Sequence, residues 1–166
     1  MAALFAAEPD VLARAARALE DRLGPFDYIS RPFGFDQTVY YEREMGGPLV
    51  KRFLSAERLM DPGDLAALKV FTTDLEAGFS QDGRRRVNID PGYVSLERLV
   101  LATGKNYLHR IYLGRGVYAD LTLVYEKGGF QPLAWTYPDY AAPEVRAVLG
   151  LMRERLLDQL RDWRQT

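Results

Sequence analysis

The chain has no cysteine and only one histidine. Without cysteine there are no disulfides and no thiolate metal ligands, so packing alone must hold the core. That usage fits a reducing cytoplasm, where the protein is expected to reside. A single histidine leaves His109 as the one side chain whose unperturbed pKa lies near neutrality. Neither sign of charge dominates: 22 Lys and Arg stand against 23 Asp and Glu, for a net charge of -1. A global attraction to nucleic acid or to an anionic membrane is thereby excluded. No run approaches the ~20 apolar residues of a membrane span, so no membrane partner is expected. Residues 1–7 lack a basic start, and Glu8 interrupts them too early for a signal peptide. What remains is an ordinary globular balance over 166 residues, 48% hydrophobic and 27% charged, which predicts one domain spanning 1–166.

Apolar periodicity divides the chain into strands and helices. Residues 2–7 read as a buried strand. Leu12, Ala15, Ala16, Leu19 and Leu23 then recur at helical spacing, and Gly24-Pro25 stops that helix. Residues 26–35 alternate weakly and carry Pro32, which restricts them to an edge strand. Residues 36–47 read as an irregular loop or short helix. A strand is predicted over 52–59, with Phe53 and Leu59 on one face and Leu54 and Ala56 on the other. Asp61-Pro62 opens a helix whose inner stripe is Leu65, Leu68, Thr72, Leu75 and Phe79. Residues 86–90 predict a short strand closed by a turn at Asp90-Pro91-Gly92. Ser95 then caps a short helix carrying Leu96, Leu99 and Val100. Strands over 107–113 and 117–125 flank the hairpin loop Gly114-Arg115-Gly116. Gly128-Gly129 turns the chain into a strand over 130–133. Finally, Pro143 opens a long helix with Val145, Val148, Leu149, Met152, Leu156, Leu160 and Trp163 on one face, of which Val148, Met152, Leu156 and Leu160 are expected to pack against the sheet. The expected class is α+β: a mostly antiparallel sheet with a ferredoxin-like βαββαβ core, extended by a C-terminal hairpin and meander and a long C-terminal helix.

Several stretches resemble the DUF4416 family. They are Phe35-Asp36 with Tyr40-Tyr41-Glu42-Arg43-Glu44-Met45-Gly46, Arg52-Phe53-Leu54-Ser55-Ala56-Glu57, Arg86-Val87-Asn88-Ile89-Asp90-Pro91-Gly92-Tyr93, Leu99-Val100-Leu101-Ala102-Thr103, His109-Arg110-Ile111-Tyr112-Leu113-Gly114 and Trp135-Thr136-Tyr137-Pro138-Asp139-Tyr140. The resemblance covers nearly the whole chain, from Leu4 to about the final helix. It implies a bacterial or archaeal domain with no established activity. Members have been labelled GTP-binding, but the residues do not support that label. A phosphate-binding loop needs Gly-x4-Gly-Lys-Ser/Thr between a strand and a helix. The nearest stretch, Gly78 to Arg85, lacks the Lys and the hydroxyl and lies after a helix. No Asn-Lys-x-Asp motif for reading guanine occurs.

The densest polar stretch is 86–110, with Arg86, Asn88, Asp90, Tyr93, Lys105, Asn106, His109 and Arg110. Alternation puts Arg86, Asn88 and Asp90 on one strand face. Such a face either meets water or lines a site. Arginine holds phosphate or carboxylate through charge-assisted hydrogen bonds, so Arg86, Asn88, Asp90, Tyr93, Lys105 and Arg110 are candidate ligand-binding residues. His109 and Asp90 are the candidates for proton transfer, against a structural, hydrogen-bonded histidine. Alternation places His109 on an apolar face with Tyr107, Ile111 and Leu113, opposite Arg110. Glu57, Asp90 and Asp120 lie in predicted strands and are candidate Mg²⁺ ligands; the alternative is that each pairs with an arginine. Asp120 is expected on the wetter face of its strand.

Three functions follow. The first is binding, or acting on, an anionic small molecule or nucleotide. The second is an RNA-associated module using the Arg84-Arg85-Arg86 run and the tyrosines of the second half, against which the neutral charge argues. The third is a protein-interaction domain without catalysis, which an exposed apolar patch would mark.

Overall fold

A computed structural model describes residues 1–35, 41 and 44–163. In chain order the elements are β1 (Ala2–Ala6), α1 (Pro9–Leu23), β2 (Phe26–Ile29), β3 (Phe33–Phe35), β4 (Leu49–Ala56), a 3-10 turn (Pro62–Asp64), α2 (Leu65–Gly78), β5 (Val87–Val94), β6 (Arg98–Thr103), β7 (Arg110–Gly114), β8 (Val117–Glu126), β9 (Gly129–Pro132), α3 (Pro138–Ala141) and α4 (Pro143–Trp163). The strands form one sheet in the order β2-β4-β1-β5-β6-β8-β7, with β3 also on β4 and β9 on β8. Every pairing is antiparallel. The class is therefore α+β with an antiparallel sheet, as the periodicity predicts.

All five residues of β1 are buried, because helices cover both faces of the sheet at its centre. Ala2, Leu4 and Ala6 face α1 and α2, joining Val11, Leu12, Ala15, Leu19, Val87 and Ile89 in one apolar cluster. Ala3 faces the other side, where Phe53, Leu99, Leu101 and Leu123 pack under Tyr140, Val145, Val148, Leu149 and Met152 of α3 and α4. Local chemistry sets the boundaries. Gly24 takes φ 87° after α1, a conformation that favours glycine. The Asp61 side chain accepts from the Gly63 N–H at 2.7 Å, capping the turn into α2. Gly114, Arg115 and Gly116 all have positive φ, which closes the β7–β8 hairpin where the glycines predict it. Among the described residues no helix is long and apolar enough to cross a membrane.

Four expectations are corrected. The turn at Asp90-Pro91-Gly92 and the helix after Ser95 do not form; β5 runs through to Val94, and 95–97 turns it into β6. Gly92 is there for close packing: a Cβ on it would lie 2.4 Å from the Val100 carbonyl oxygen and 2.8 Å from Leu101 Cδ2. The strand predicted over 52–59 begins at Leu49 and ends at Ala56, leaving Leu59 exposed. On α4, Val145, Val148, Leu149 and Met152 are buried, but Leu156 and Leu160 are only half-buried and line a groove, and Trp163 is exposed. The loop or short helix expected over 36–47 falls largely outside the described residues.

Candidate functional site

The sheet opens at one place. β5 pairs with β1 along 87–91 but meets β6 only at 92–94, while β6 continues along β8 to Thr103. Below Gly92, the outer edge of β5 has no strand beside it among the described residues. The Gly92 N–H bonds the Met1 carbonyl on the β1 side, so by alternation the nitrogen of Pro91 faces the opening, where a missing N–H costs no ladder bond. The Ile89 backbone is satisfied from α2 instead. Its N–H donates to Glu76 Oε1 at 2.6 Å, and its carbonyl accepts from Lys69 Nζ at 3.0 Å. Burial pushes the Glu76 carboxyl above its ordinary pKa, opposed by the nearby Lys69 ammonium and the Ile89 N–H.

On the α3 side of the opening, polar groups gather. Asn88, Phe5 and Lys51 sit side by side on β5, β1 and β4, and Asp90, Ala3 and Phe53 form the next row. Lys51 is buried. Its Nζ lies 2.5 Å from Asp139 Oδ2 and 4.4–5.7 Å from the rings of Tyr140, Phe35, Phe53 and Phe5. Across the opening, Asp120 Oδ2 accepts from Arg110 Nε at 2.8 Å and lies 3.2 Å from His109 Nε2. The Arg110 guanidinium also donates to the Lys105 carbonyl at 2.8 Å and to the Tyr137 hydroxyl at 2.7 Å. The His109 ring stacks on Trp135 at 4.7 Å and 13°. Trp135 Nε1 in turn donates to the Leu121 carbonyl at 2.8 Å. Tyr137 and Tyr140, whose rings lie 6.5 Å apart, join the two halves through α3. Burial raises both phenols, most strongly that of Tyr140, and the Asp90 carboxylate adds to both shifts.

Three buried side-chain atoms have no hydrogen-bond partner among the described residues: Asn88 Nδ2, His109 Nδ1 and Tyr140 Oη. Asn88 and Tyr140 belong to the β5 half of this region, and His109 lies beside β8 at the other end of the sheet order. The Asp90 carboxylate, beside Asn88 on the same strand face, likewise makes no hydrogen bond or ion pair there. Native structures rarely leave such groups unmet. Burial keeps the Tyr140 phenol protonated, so the opening presents two neutral donors, Tyr140 and Asn88, and one free carboxylate.

The predicted site residues separate accordingly. Asn88 and Asp90 lie together on β5, while His109 and Arg110 meet at Asp120 on β8, and the Tyr137 phenol stands near the charges of Arg110, Asp120 and Asp90; Lys105 is exposed. Arg86 joins neither group: it lies just before β5, bonded to Glu8 and Gln81. Its neighbour Arg85 reaches Asn88 Oδ1 at 3.3 Å while gripping Glu44 with two hydrogen bonds of 2.8 and 2.7 Å. Two of the three arginines of the run are thus paired with separate carboxylates, Arg85 with Glu44 and Arg86 with Glu8, and Arg84 is exposed. Tyr93 packs on the α2 side of β5 and lines a groove of about 410 Å³ beside Met1, Leu156 and Leu160. Glu57 lies beyond the end of β4, its carbonyl accepting from Gln159 Nε2 at 2.7 Å. Glu57, Asp90 and Asp120 therefore do not surround a common point, and no group of three metal-binding side chains occurs among the described residues.

Two face assignments are corrected here. His109 precedes β7, so strand alternation does not govern it, and both His109 and Arg110 reach Asp120. Tyr107, Ile111 and Leu113, expected to be buried with it, are exposed. Asp120 and Thr122 are buried rather than wet, because the loop before α3 folds over them and Thr136 Oγ1 donates to the Thr122 carbonyl at 2.5 Å.

Lys51, Tyr140 and Asp139 escape a reading of polar strand faces. The signal for Lys51 is a lone charge on the apolar face shared by Leu49 and Phe53, visible once the strand is begun at Leu49. The signal on α2 is Lys69 and Glu76, seven apart on one helix face. The model of a domain of unknown function, DUF4416, matches residues 1–156. No curated protein and no solved structure matches the chain.

Proposed function

The chain belongs to the DUF4416 family, and we propose that it binds a small polar molecule in the sheet opening beneath α3. One observation carries the proposal: among the described residues, Asn88 Nδ2 and Tyr140 Oη are buried without partners on the face that carries the Asp90 carboxylate, whose charge acts on the Tyr140 phenol. Each such group left unmet costs ~1–3 kcal/mol, and a ligand that bonds them recovers that cost. Tyr140 and Asn88 donate and Asp90 accepts, so the ligand carries both acceptors and donors, as a diol or the edge of a nucleobase does.

The anionic character expected of the ligand belongs at the rim. Inside, each cation already has a carboxylate: Lys51 has Asp139 and Arg85 has Glu44. A polyanion seated there meets Asp90 unopposed. At the rim, Lys105 is exposed, and Arg110 uses three of its five N–H groups. A phosphate or carboxylate at Lys105 and Arg110, with the polar body of the molecule turned in to Asn88 and Asp90, fits both. Nucleotides have this form.

Native mass spectrometry of freshly purified protein tests the proposal. It predicts a retained small molecule that is lost from Asn88→Leu and from Asp90→Asn while both variants stay folded. Retention by both variants contradicts it. The same proposal takes β1, α1, β2, β4, α2 and β5 as a ferredoxin-like core, supported by the strand order β2-β4-β1-β5 with α1 and α2 on one face. It also takes the cytoplasm as the setting, supported by a sequence without cysteine.

A further inference from the structure

β7 closes one end of the sheet, and its outer edge has no neighbouring strand among the described residues. Exposed edges invite pairing with another chain and are usually guarded by charged side chains or proline. β7 has neither pointing outward. It contains no lysine or proline, and its one charged residue, Arg110, folds back onto Asp120 with 9% of its side chain exposed. What it shows instead is apolar: Ile111 is 71% exposed, Leu108 just before it 83%, and Tyr107, Tyr112 and Leu113 are exposed as well.

We propose that this edge pairs with β7 of a second copy of the chain, antiparallel about a two-fold axis at Tyr112. The backbone is set for it. The Arg110 N–H turns back to the Tyr107 carbonyl at 3.0 Å, and by alternation from it the N–H and C=O of Tyr112 point to the open edge. Side chains are self-complementary in that register. Tyr112 meets the partner's Tyr112, Ile111 meets the partner's Leu113, and Arg110 meets the partner's Gly114. No like charges face each other, as an isologous contact requires. The five exposed side chains offer on the order of 500 Å² per copy, taking ~150–250 Å² for each tyrosine, less for each leucine and isoleucine, and allowing for the part already covered. With the strand backbones added, that approaches the ~800 Å² per partner of a stable interface. This contact is independent of the ligand proposed beneath α3.

Light scattering coupled to size exclusion, run across a concentration series on the full chain, tests the pairing. Wild type is expected to move from one chain's mass of 18.9 kDa to twice that as concentration rises. Ile111→Lys and, separately, Leu108→Lys are expected to remain at 18.9 kDa throughout, with unchanged circular dichroism and, at concentrations where wild type is a single chain, unchanged Tm, because both positions face solvent in the single chain. Hydrogen exchange at the Tyr112 amide is expected to slow in the dimer. A wild type that stays monomeric, a larger or open-ended assembly, or a dimer that survives both lysines each overturns the proposal. So does a dimer whose Tyr112 amide exchanges as fast as in the monomer.

Discussion

Replacing Asp139 with Asn is the sharpest probe of how α3 is held over the sheet. The substitution leaves the Lys51 ammonium buried without its carboxylate, 2.5 Å away in the wild type. Breaking a buried pair from one side costs ~3–5 kcal/mol. Here the cost is reduced, because four rings stand 4.4–5.7 Å from Nζ and each ring–cation contact retains ~0.5–1 kcal/mol. The expected loss for Asp139→Asn is ~2–3 kcal/mol, whereas Lys51→Met, which strands a carboxylate with no aromatic compensation, should lose ~3–4 kcal/mol. The double substitution removes both charges, and methionine fills the aromatic box; it should lie within ~1 kcal/mol of wild type. Urea unfolding of the four proteins gives the coupling as a double-mutant cycle. Single losses under ~0.5 kcal/mol, or losses that simply add in the double mutant, refute the reasoning and place Lys51 in water.

Gly92→Ala puts a Cβ 2.4 Å from a backbone oxygen of β6, and it should cost ~3 kcal/mol, at the upper end for overpacking; a neutral result in urea unfolding contradicts the close β5–β6 approach. Leu149→Ala removes a fully buried side chain of α4 and should cost ~3–4 kcal/mol, while Leu156→Ala, at the groove, should cost about half that; equal losses contradict the burial difference. Glu76 has its carboxyl pKa raised in the folded state by burial. Its contribution to stability is therefore full in acid, below the ordinary carboxylate range, and declines as pH rises through the raised value. Glu76→Gln, which stays neutral, should gain on wild type from mild acid to neutral pH and match it in acid. A difference that does not change with pH refutes the assignment.

The three long helices and the hairpin turn were legible because their signals are local. Leu12 to Leu23 repeats on one helical face and stops at Gly24-Pro25, and Gly114 and Gly116 supply the positive φ that the β7–β8 turn needs. The segment around Asp90-Pro91-Gly92 was misleading because its residues suit a turn as well as a strand. Only the splay of the sheet, where Pro91 needs no donor and Gly92 admits β6, selects the strand. Half of the candidate site could be read in advance from Asn88 and Asp90, two apart on one strand face. His109 and Arg110 were recognised by type but misassigned by face, since His109 lies outside β7. Lys51, Asp139 and Tyr140 meet only through contacts some 90 residues apart in sequence, which periodicity cannot reveal. The apolar edge of β7 was read as core for the same reason: alternation shows which residues share a face and not whether anything covers it.

The central claim is that Asn88 Nδ2 and Tyr140 Oη face a bound molecule and are not merely left unpaired. A high-resolution crystal structure of protein purified without added ligand tests it most directly. The claim predicts continuous density of a small molecule in the opening between β5 and β6, within hydrogen-bonding distance of both atoms and of the Asp90 carboxylate. Isolated waters bonded to each of these groups, with no connected density between them, would contradict it.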